Sequence, residues 1–255
     1  MVNHGMDRGN ERVERIKLKV EGGKLKAEYE TSYIFKDPSK NGIFNDVVVV
    51  KDFMYLTQYS NPLPLSGMDH SFSSMIKEIG NTENKGNIWR CKIPFEESEC
   101  EVVVSGYIKA ANGITTDGES RMWVADMIGK VIYEYEITQN GDLELAESIT
   151  TGKMLDNLKY DPFSGNVYAA GIYRAVDMFY FFISETIKRD SKVFVQGVGL
   201  ELEYGKDKKF KQLNEVMKSS RISGVSVVGR WEQEGSSFYF LGSFLDPKLV
   251  VCEFK

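Results

Sequence analysis

A three-strand unit recurs along this chain, and that recurrence constrains the fold more than any other feature. After NDVVVV come FMYLTQ and NIWRCKI; after NGITT come RMWVAD and KVIYEYEI. After DNLKYDPFSG come NVYAAG and MFYFFIS; after SGVSVV come SFYFLGSF and KLVVCEF. The units start near residues 45, 112, 156 and 223. Each reads as an inner strand, a tight turn, an aromatic second strand, a short loop and a third strand, with Gly, Asn and Asp at the turns. Units of this kind bury their faces by stacking on one another. The pattern is that of a β-propeller blade, whose fourth and outermost strand gives the weakest signal. Ahead of the first unit, RVERIKLKV and KLKAEY look like a blade without its innermost strand. We therefore expect an all-β propeller, incomplete at about four and a half blades, forming one domain over residues 1–255 with its N-terminal blades missing.

Two stretches interrupt the pattern. Pro62 to Asn87 carries Pro, Gly and Ser together with SFSSMIKEIG, whose Phe72, Met75, Ile76 and Ile79 fit helical spacing. We read it as an insertion over one face, in the manner of a lid. Residues 206–220 also fit a helix through Phe210, Leu213, Val216 and Met217, but the blade pattern requires a strand there, which we favour.

Oxygen-bearing pairs stand at the same place in three of the units: Asn45-Asp46 before VVVV, Asn112-Gly113 before ITT, and Asp156-Asn157 before LKY. Singly, such pairs are ordinary turn residues bonding their own backbone. In register across repeats, they can converge on one axis as a ring of hard oxygens, the donor type that calcium takes. Composition narrows the alternatives. A net charge of −5 with both signs interspersed leaves no basic footprint for nucleic acid. The longest apolar run, Met178 to Ile183, is about a third of the ~20 residues that cross a bilayer. Residues 1–10 are polar and show no signal peptide.

Of the 3 cysteines, Cys91 and Cys100 flank PFEESE and could face each other on a hairpin; three reduced, buried thiols are the equal alternative. Cys252 has no evident partner. Trp89, Trp123 and Trp231 are read as blade packing, His70 as an exposed residue of the insertion, and Asp117-Gly118 and Ser164-Gly165 as hairpin turns.

Taken together, NHG at residues 3–5, NDVVVV, ANGITTDGESRMWVADMIGKVIYEYE, LDNLKYDPFSGNVYAAG and the closing SGVSVV, FLGSF and KLVVCEF resemble the serum paraoxonase/arylesterase family. The match runs in order over essentially the whole chain and covers the C-terminal two-thirds of a family member. The resemblance implies a six-bladed propeller with two calcium ions in its central tunnel, one structural and one catalytic, and hydrolysis of aryl esters or lactones. It places Asn45, Asn112, Asp156 and Asn157 as ligands of the catalytic ion and Asp46 as a ligand of the structural one. His4 resembles one member of a water-activating histidine pair. Cys252 resembles the C-terminal half of a disulfide to the first strand region. Small ester or lactone substrates, secretion or membrane attachment, and lipoprotein association follow by the same resemblance.

The departures point the other way. The family's acidic ligand pair, the second histidine and the partner of Cys252 belong to the N-terminal part not represented here. Tyr173 stands where the family often has a histidine, and Ala110 where it has an aromatic. The two calcium sites are therefore incomplete, and we expect weak calcium binding and turnover near background. A non-catalytic scaffold or membrane-protein assembly factor is the alternative. A propeller of the strictosidine-synthase or gluconolactonase kind is a weaker third, lacking the NHG and C-terminal cysteine features. Open propeller edges are expected to favour self-association.

Overall fold

The computed structural model describes residues 1–3, 12–35, 43–60, 86–178, 180, 194–205, 207–233, 235–243 and 245–254. His4, His70 and the 61–85 part of the insertion lie outside these residues.

Among the described residues, eighteen strands form five antiparallel sheets that follow one another along the chain. The first contains β1 (Val2–Asn3), β2 (Arg12–Glu21) and β3 (Lys24–Ile34). The second contains β4 (Ile43–Val50), β5 (Phe53–Ser60), β6 (Asn87–Lys92) and β7 (Cys100–Val104). The third runs β8 (Ala111–Thr116), β9 (Arg121–Asp126), β10 (Val131–Ile137) and β11 (Leu143–Thr150). The fourth runs β12 (Met154–Tyr160), β13 (Val167–Ile172), β14 (Gln196–Tyr204) and β15 (Phe210–Ser223). The fifth contains β16 (Val225–Gln233), β17 (Ser236–Ser243) and β18 (Val250–Phe254).

Within each sheet the strands lie side by side in chain order, and the leading strands pack on one another: β1 against β4, β4 against β8, β8 against β12, β12 against β16. This is the blade arrangement of a β-propeller, as the repeats required. Among the described residues no helix is long and apolar enough to cross a membrane.

Three details correct the sequence reading. The first sheet has an inner strand after all: Val2 pairs with Val13 and Asn3 with Arg12, so the Val2 region is not an ungrouped edge. The third strand of the fourth sheet is β14 and not MFYFFIS, of which Met178 lies in a helical turn and residues 179 and 181–184 lie outside the described residues. Cys91 and Cys100 face each other across β6 and β7 and are joined as a disulfide, which excludes three reduced thiols; Cys252 is free. The 206–220 region does form a strand, β15.

The core lies between the sheets. Val13 and Phe35 of the first sheet pack on Phe44, Met54, Leu56 and Trp89 of the second. Tyr55 and Ile88 meet Ile114, Val124 and Tyr135 of the third. Trp123 and Ile132 meet Leu158, Val198 and Leu200 of the fourth. Tyr168, Ala170 and Ile222 meet Val225, Val228 and Leu241 of the fifth. Each such side chain contributes roughly 1.5–3 kcal/mol on full burial. Trp123 and Trp89 pack inside as expected, whereas Trp231 is half-exposed.

A polar knot ties the third sheet to the fourth. The Arg121 guanidinium lies over the rings of Trp123 and Tyr204 and pairs with Glu134. The Tyr204 hydroxyl donates to Glu134 at 2.7 Å and accepts from Trp123 Nε1 at 2.7 Å. Every member is satisfied, so the knot stabilises although it is buried. Tyr204→Phe leaves two buried groups unpaired, which costs about 1–3 kcal/mol each. Thermal melting should show a loss of several degrees, and an unchanged Tm would refute the knot's role.

Candidate metal centre

The inner strands share one irregularity. The ladder between β4 and β5 skips from Phe44 to Val47, leaving Asn45 and Asp46 outside the pairing. Between β8 and β9 it skips from Ala111 to Ile114, leaving Asn112 and Gly113. Between β12 and β13 it skips from Leu155 to Leu158, leaving Asp156 and Asn157. In β16 the skip runs from Val225 to Val227, leaving Ser226. All three oxygen-bearing pairs read from the sequence therefore sit on β-bulges, one turn of chain inside their strands and not at the strand heads. A bulge re-aims side chains that regular pleating would send into the inter-sheet core.

The bulges abut in order. The Ile114 N–H donates to Asp46 Oδ2 at 3.1 Å, linking the first bulge to the second. Gly113 lies so close to the third that a Cβ there would stand 2.5 Å from Asn157 Cα and 2.5 Å from the Asp156 carbonyl oxygen. The Asn157 Nδ2 donates to the Ser226 carbonyl at 2.9 Å, linking the third to the fourth. Glycine at 113 is thus a condition of the approach, and the Asn-Gly pair is more than a turn signal.

The side chains fall into two kinds. Asp46 is held by backbone: Oδ1 accepts from Val47 N–H at 2.8 Å and Oδ2 from Ile114, while its own N–H donates to Thr57 Oγ1. The others keep an oxygen open. Asn112 is buried, its Nδ2 meets Met127 Sδ at 3.5 Å, and its Oδ1 has no hydrogen-bond partner. Asn157 has its nitrogen tied to Ser226, which leaves Oδ1 without a donor among the described residues. The Asn45 amide and the Asp156 carboxylate likewise meet no donor among these residues.

Burial raises the Asp156 carboxyl to about 7, and the neighbouring Asp46 carboxylate adds to the rise. Burial also raises Asp46, opposed by the N–H groups of Ile114 and Val47. The buried amide oxygen of Asn112 and the buried carboxyls of Asp46 and Asp156, on adjoining bulges, are all oxygen donors. They fit a hard cation that takes oxygen ligands, the calcium of the sequence reading. Among the described residues no three His, Cys, Asp or Glu side chains gather as a metal group, because most donors here are amides.

Against this geometry the comparisons decide the family: the arylesterase family matches residues 40–211, which contain all three pairs. The chain belongs to the arylesterase family. Serum paraoxonase/lactonase 3 of Homo sapiens is 34% identical over 82 residues, covering 32% of this chain and 23% of that protein. The Mus musculus protein of the same name is 33% identical over the same length. The matched stretch thus spans under a quarter of the length of these curated relatives. Among solved structures, a putative gluconolactonase aligns with TM-score 0.45 at 12% identity, covering 89% of this chain and 67% of its own. A hypothetical selenium-binding protein from Sulfolobus tokodaii aligns with TM-score 0.49 at 12% identity, covering 96% and 57%.

Sequence reasoning named Gly113 only as the partner of Asn112 in a turn-type pair and did not single out Ser226; both shape the bulges through backbone. The cost of burying the Asp156 charge, to which Asp46 adds, yields a test. Asp156 has a folded pKa of about 7, above the ordinary ~3.9 of the unfolded chain. Its ionised form therefore weakens the metal-free fold above pH 7, and that penalty is gone below about pH 4. In chelator at pH 8, Asp156→Asn should melt higher than wild type, by about 2–4 °C per kcal/mol relieved, with the gain vanishing as pH falls toward 4. A variant that melts lower at pH 8 would contradict the electrostatic account.

Proposed function

We propose that this chain is a calcium-dependent hydrolase of esters or lactones, with its metal centre on the inner-strand bulges. The observation that carries the reading is the unpaired, buried Oδ1 of Asn112 beside the Asp46–Asp156 pair. Membership of the arylesterase family, and likeness to proteins named paraoxonase/lactonase, support the reaction class.

Asn45, Asn112, Asp156 and Asn157 would hold the ion, and Asp46 would steady the neighbouring bulge or a second ion. When bound, calcium supplies Lewis-acid polarisation of a substrate carbonyl. The chain's own residues do the rest. Ser226 and Met127 fix two amides through their nitrogens, so that oxygens and not N–H groups face the centre. The packed bulges exclude water from around Asn112. His4 would accept the proton of the attacking water, for which an imidazole near its ordinary pKa is suited at neutral pH. Amide donors leave the ion electrophilic but bind it weakly, so affinity should fall in the sub-millimolar to millimolar range.

Calcium titration followed by thermal shift and calorimetry tests this directly. Wild type should gain several degrees in Tm, and Asp156→Ala should lose the gain. Asn112→Leu should also lose it while keeping or improving metal-free stability, because it removes a buried unpaired acceptor. Phenyl acetate turnover should be slight and EDTA-sensitive. A calcium response that survives both substitutions would overturn the site, and calcium-independent turnover would overturn the mechanism.

A further inference from the structure

Two lysines converge on one tyrosine near the bulge of the fourth sheet. Tyr173 follows β13 directly, and its N–H donates to the Gln196 carbonyl at 2.8 Å, which continues the β13–β14 pairing past Ile172. Met154 pairs with Ile172, so Lys153, one residue earlier, stands across from Tyr173. Its Nζ lies 3.5 Å from the centroid of the Tyr173 ring. Lys218 reaches the same ring from β15, on the other side of β13, with its Nζ 3.6 Å from the centroid. Lys218 pairs with Val198, and Val198 with Gly171, which carries no side chain. Tyr173 packs against the cluster that holds Leu155 and Val198, so the three groups lie on the face of the fourth sheet that meets the third.

The group is held in place. The Lys153 side chain is only 19% exposed, low for a residue type that usually lies in water. Its N–H donates to Thr151 Oγ1 at 3.3 Å, and that hydroxyl donates to the Lys130 carbonyl at 3.0 Å. Charge, however, is not balanced. Each ammonium gains from the face of the ring, but one ring cannot neutralise two like charges held this close. Glu215 stands 3.7 Å from Lys153 and is itself 39% exposed. Among the described residues Lys218 makes no ion pair, and the Tyr173 hydroxyl has no hydrogen-bond partner. Two ammoniums and one O–H are all donors, and their complement is a group with two acceptor oxygens and a negative charge.

We propose that Lys153, Lys218 and Tyr173 form a subsite for a carboxylate of the substrate, so that the esters or lactones this chain takes are anionic. The inference rests on the hydrolase reading for the reacting end of the substrate, and on the lysine–tyrosine geometry for the other end. Lys153 stands three residues before Asp156 along the same inner strand, about 10 Å away at the rise of a strand. A small ester or lactone spans that distance with its carbonyl at the bulges and its carboxylate at the ammonium groups. A neutral analogue leaves those donors without an acceptor, and that difference is specificity.

Calorimetric titration with para-hydroxybenzoate, in chelator and at low salt, tests the subsite without metal or turnover. The benzoate should bind, and the neutral para-hydroxybenzamide should bind about tenfold more weakly or worse. Lys153→Met with Lys218→Met should weaken benzoate binding by about tenfold or more, whereas Lys153→Arg with Lys218→Arg should keep most of it. Lys218→Met alone serves if the double variant does not fold, because Lys218 is exposed. In calcium, the kcat/KM preference for para-acetoxybenzoate over phenyl acetate should fall by a similar factor in the methionine variant. Benzoate binding that is absent, equal to that of the amide, or unchanged by the methionine pair would overturn the subsite, as would a substrate preference that the pair leaves intact. Benzoate binding with no ester turnover at all would instead overturn the hydrolase reading and leave the carboxylate site standing.

Discussion

Residues leaving the ladder on four successive inner strands, two each on β4, β8 and β12 and one on β16, are the constraint on which the rest of this molecule depends. A regular strand would bury Asn45, Asn112 and Asp156 in the apolar layers between sheets or leave their backbones locked in pairing. The bulges do neither. They bring four inner strands close enough for Ile114 to bond Asp46 and for Asn157 to bond Ser226. The same displacement that takes these oxygens out of the ladders also supplies hydrogen bonds between neighbouring sheets.

That arrangement sets stability against function. Burial, and then the Asp46 carboxylate, raise the cost of ionising Asp156, and among the described residues Asn112 leaves a buried acceptor without a hydrogen bond. Unpaired polar groups of this kind are a common mark of functional sites, tolerated because the surrounding structure determines them. Here the surroundings are the large apolar clusters and the Arg121–Glu134–Tyr204–Trp123 knot, each fully satisfied and remote from the bulges in role.

Much of this was legible in the sequence because repeats fix period, and period fixes which strands pair. The inner and second strands were placed correctly in every unit, and the 206–220 strand was chosen over a helix on the repeat argument alone. MFYFFIS was given the third place in its sheet because an aromatic run carries strong strand propensity whatever its context, but β14 holds that place. The true strand, QGVGLELEY, is Gly-rich and weaker by composition, and only the sheet register selects it. The ligand-type pairs were found, yet the bulges beneath them were not. A bulge is a count of two residues against one, which exists only between strands. The open oxygen of Asn112 was illegible for the same reason, since satisfaction is a property of neighbours. The Cys91–Cys100 bond was undecidable from spacing until β6 and β7 set the two residues opposite one another.

The serial packing of the sheets has a further consequence. Among the described residues the sheets pack in chain order, each inner strand on the next, so stability is largely a sum of nearest-neighbour terms. The strands β9 and β13 are buried throughout, whereas β3 is exposed over most of its length. Protection of backbone amides should therefore be greatest in β8–β10 and β12–β14 and least in the β2–β3 hairpin, where opening begins. The oxygen-bearing bulges lie on the second to fourth sheets. They would be among the last features to be lost, even though they are the least comfortable place in the molecule.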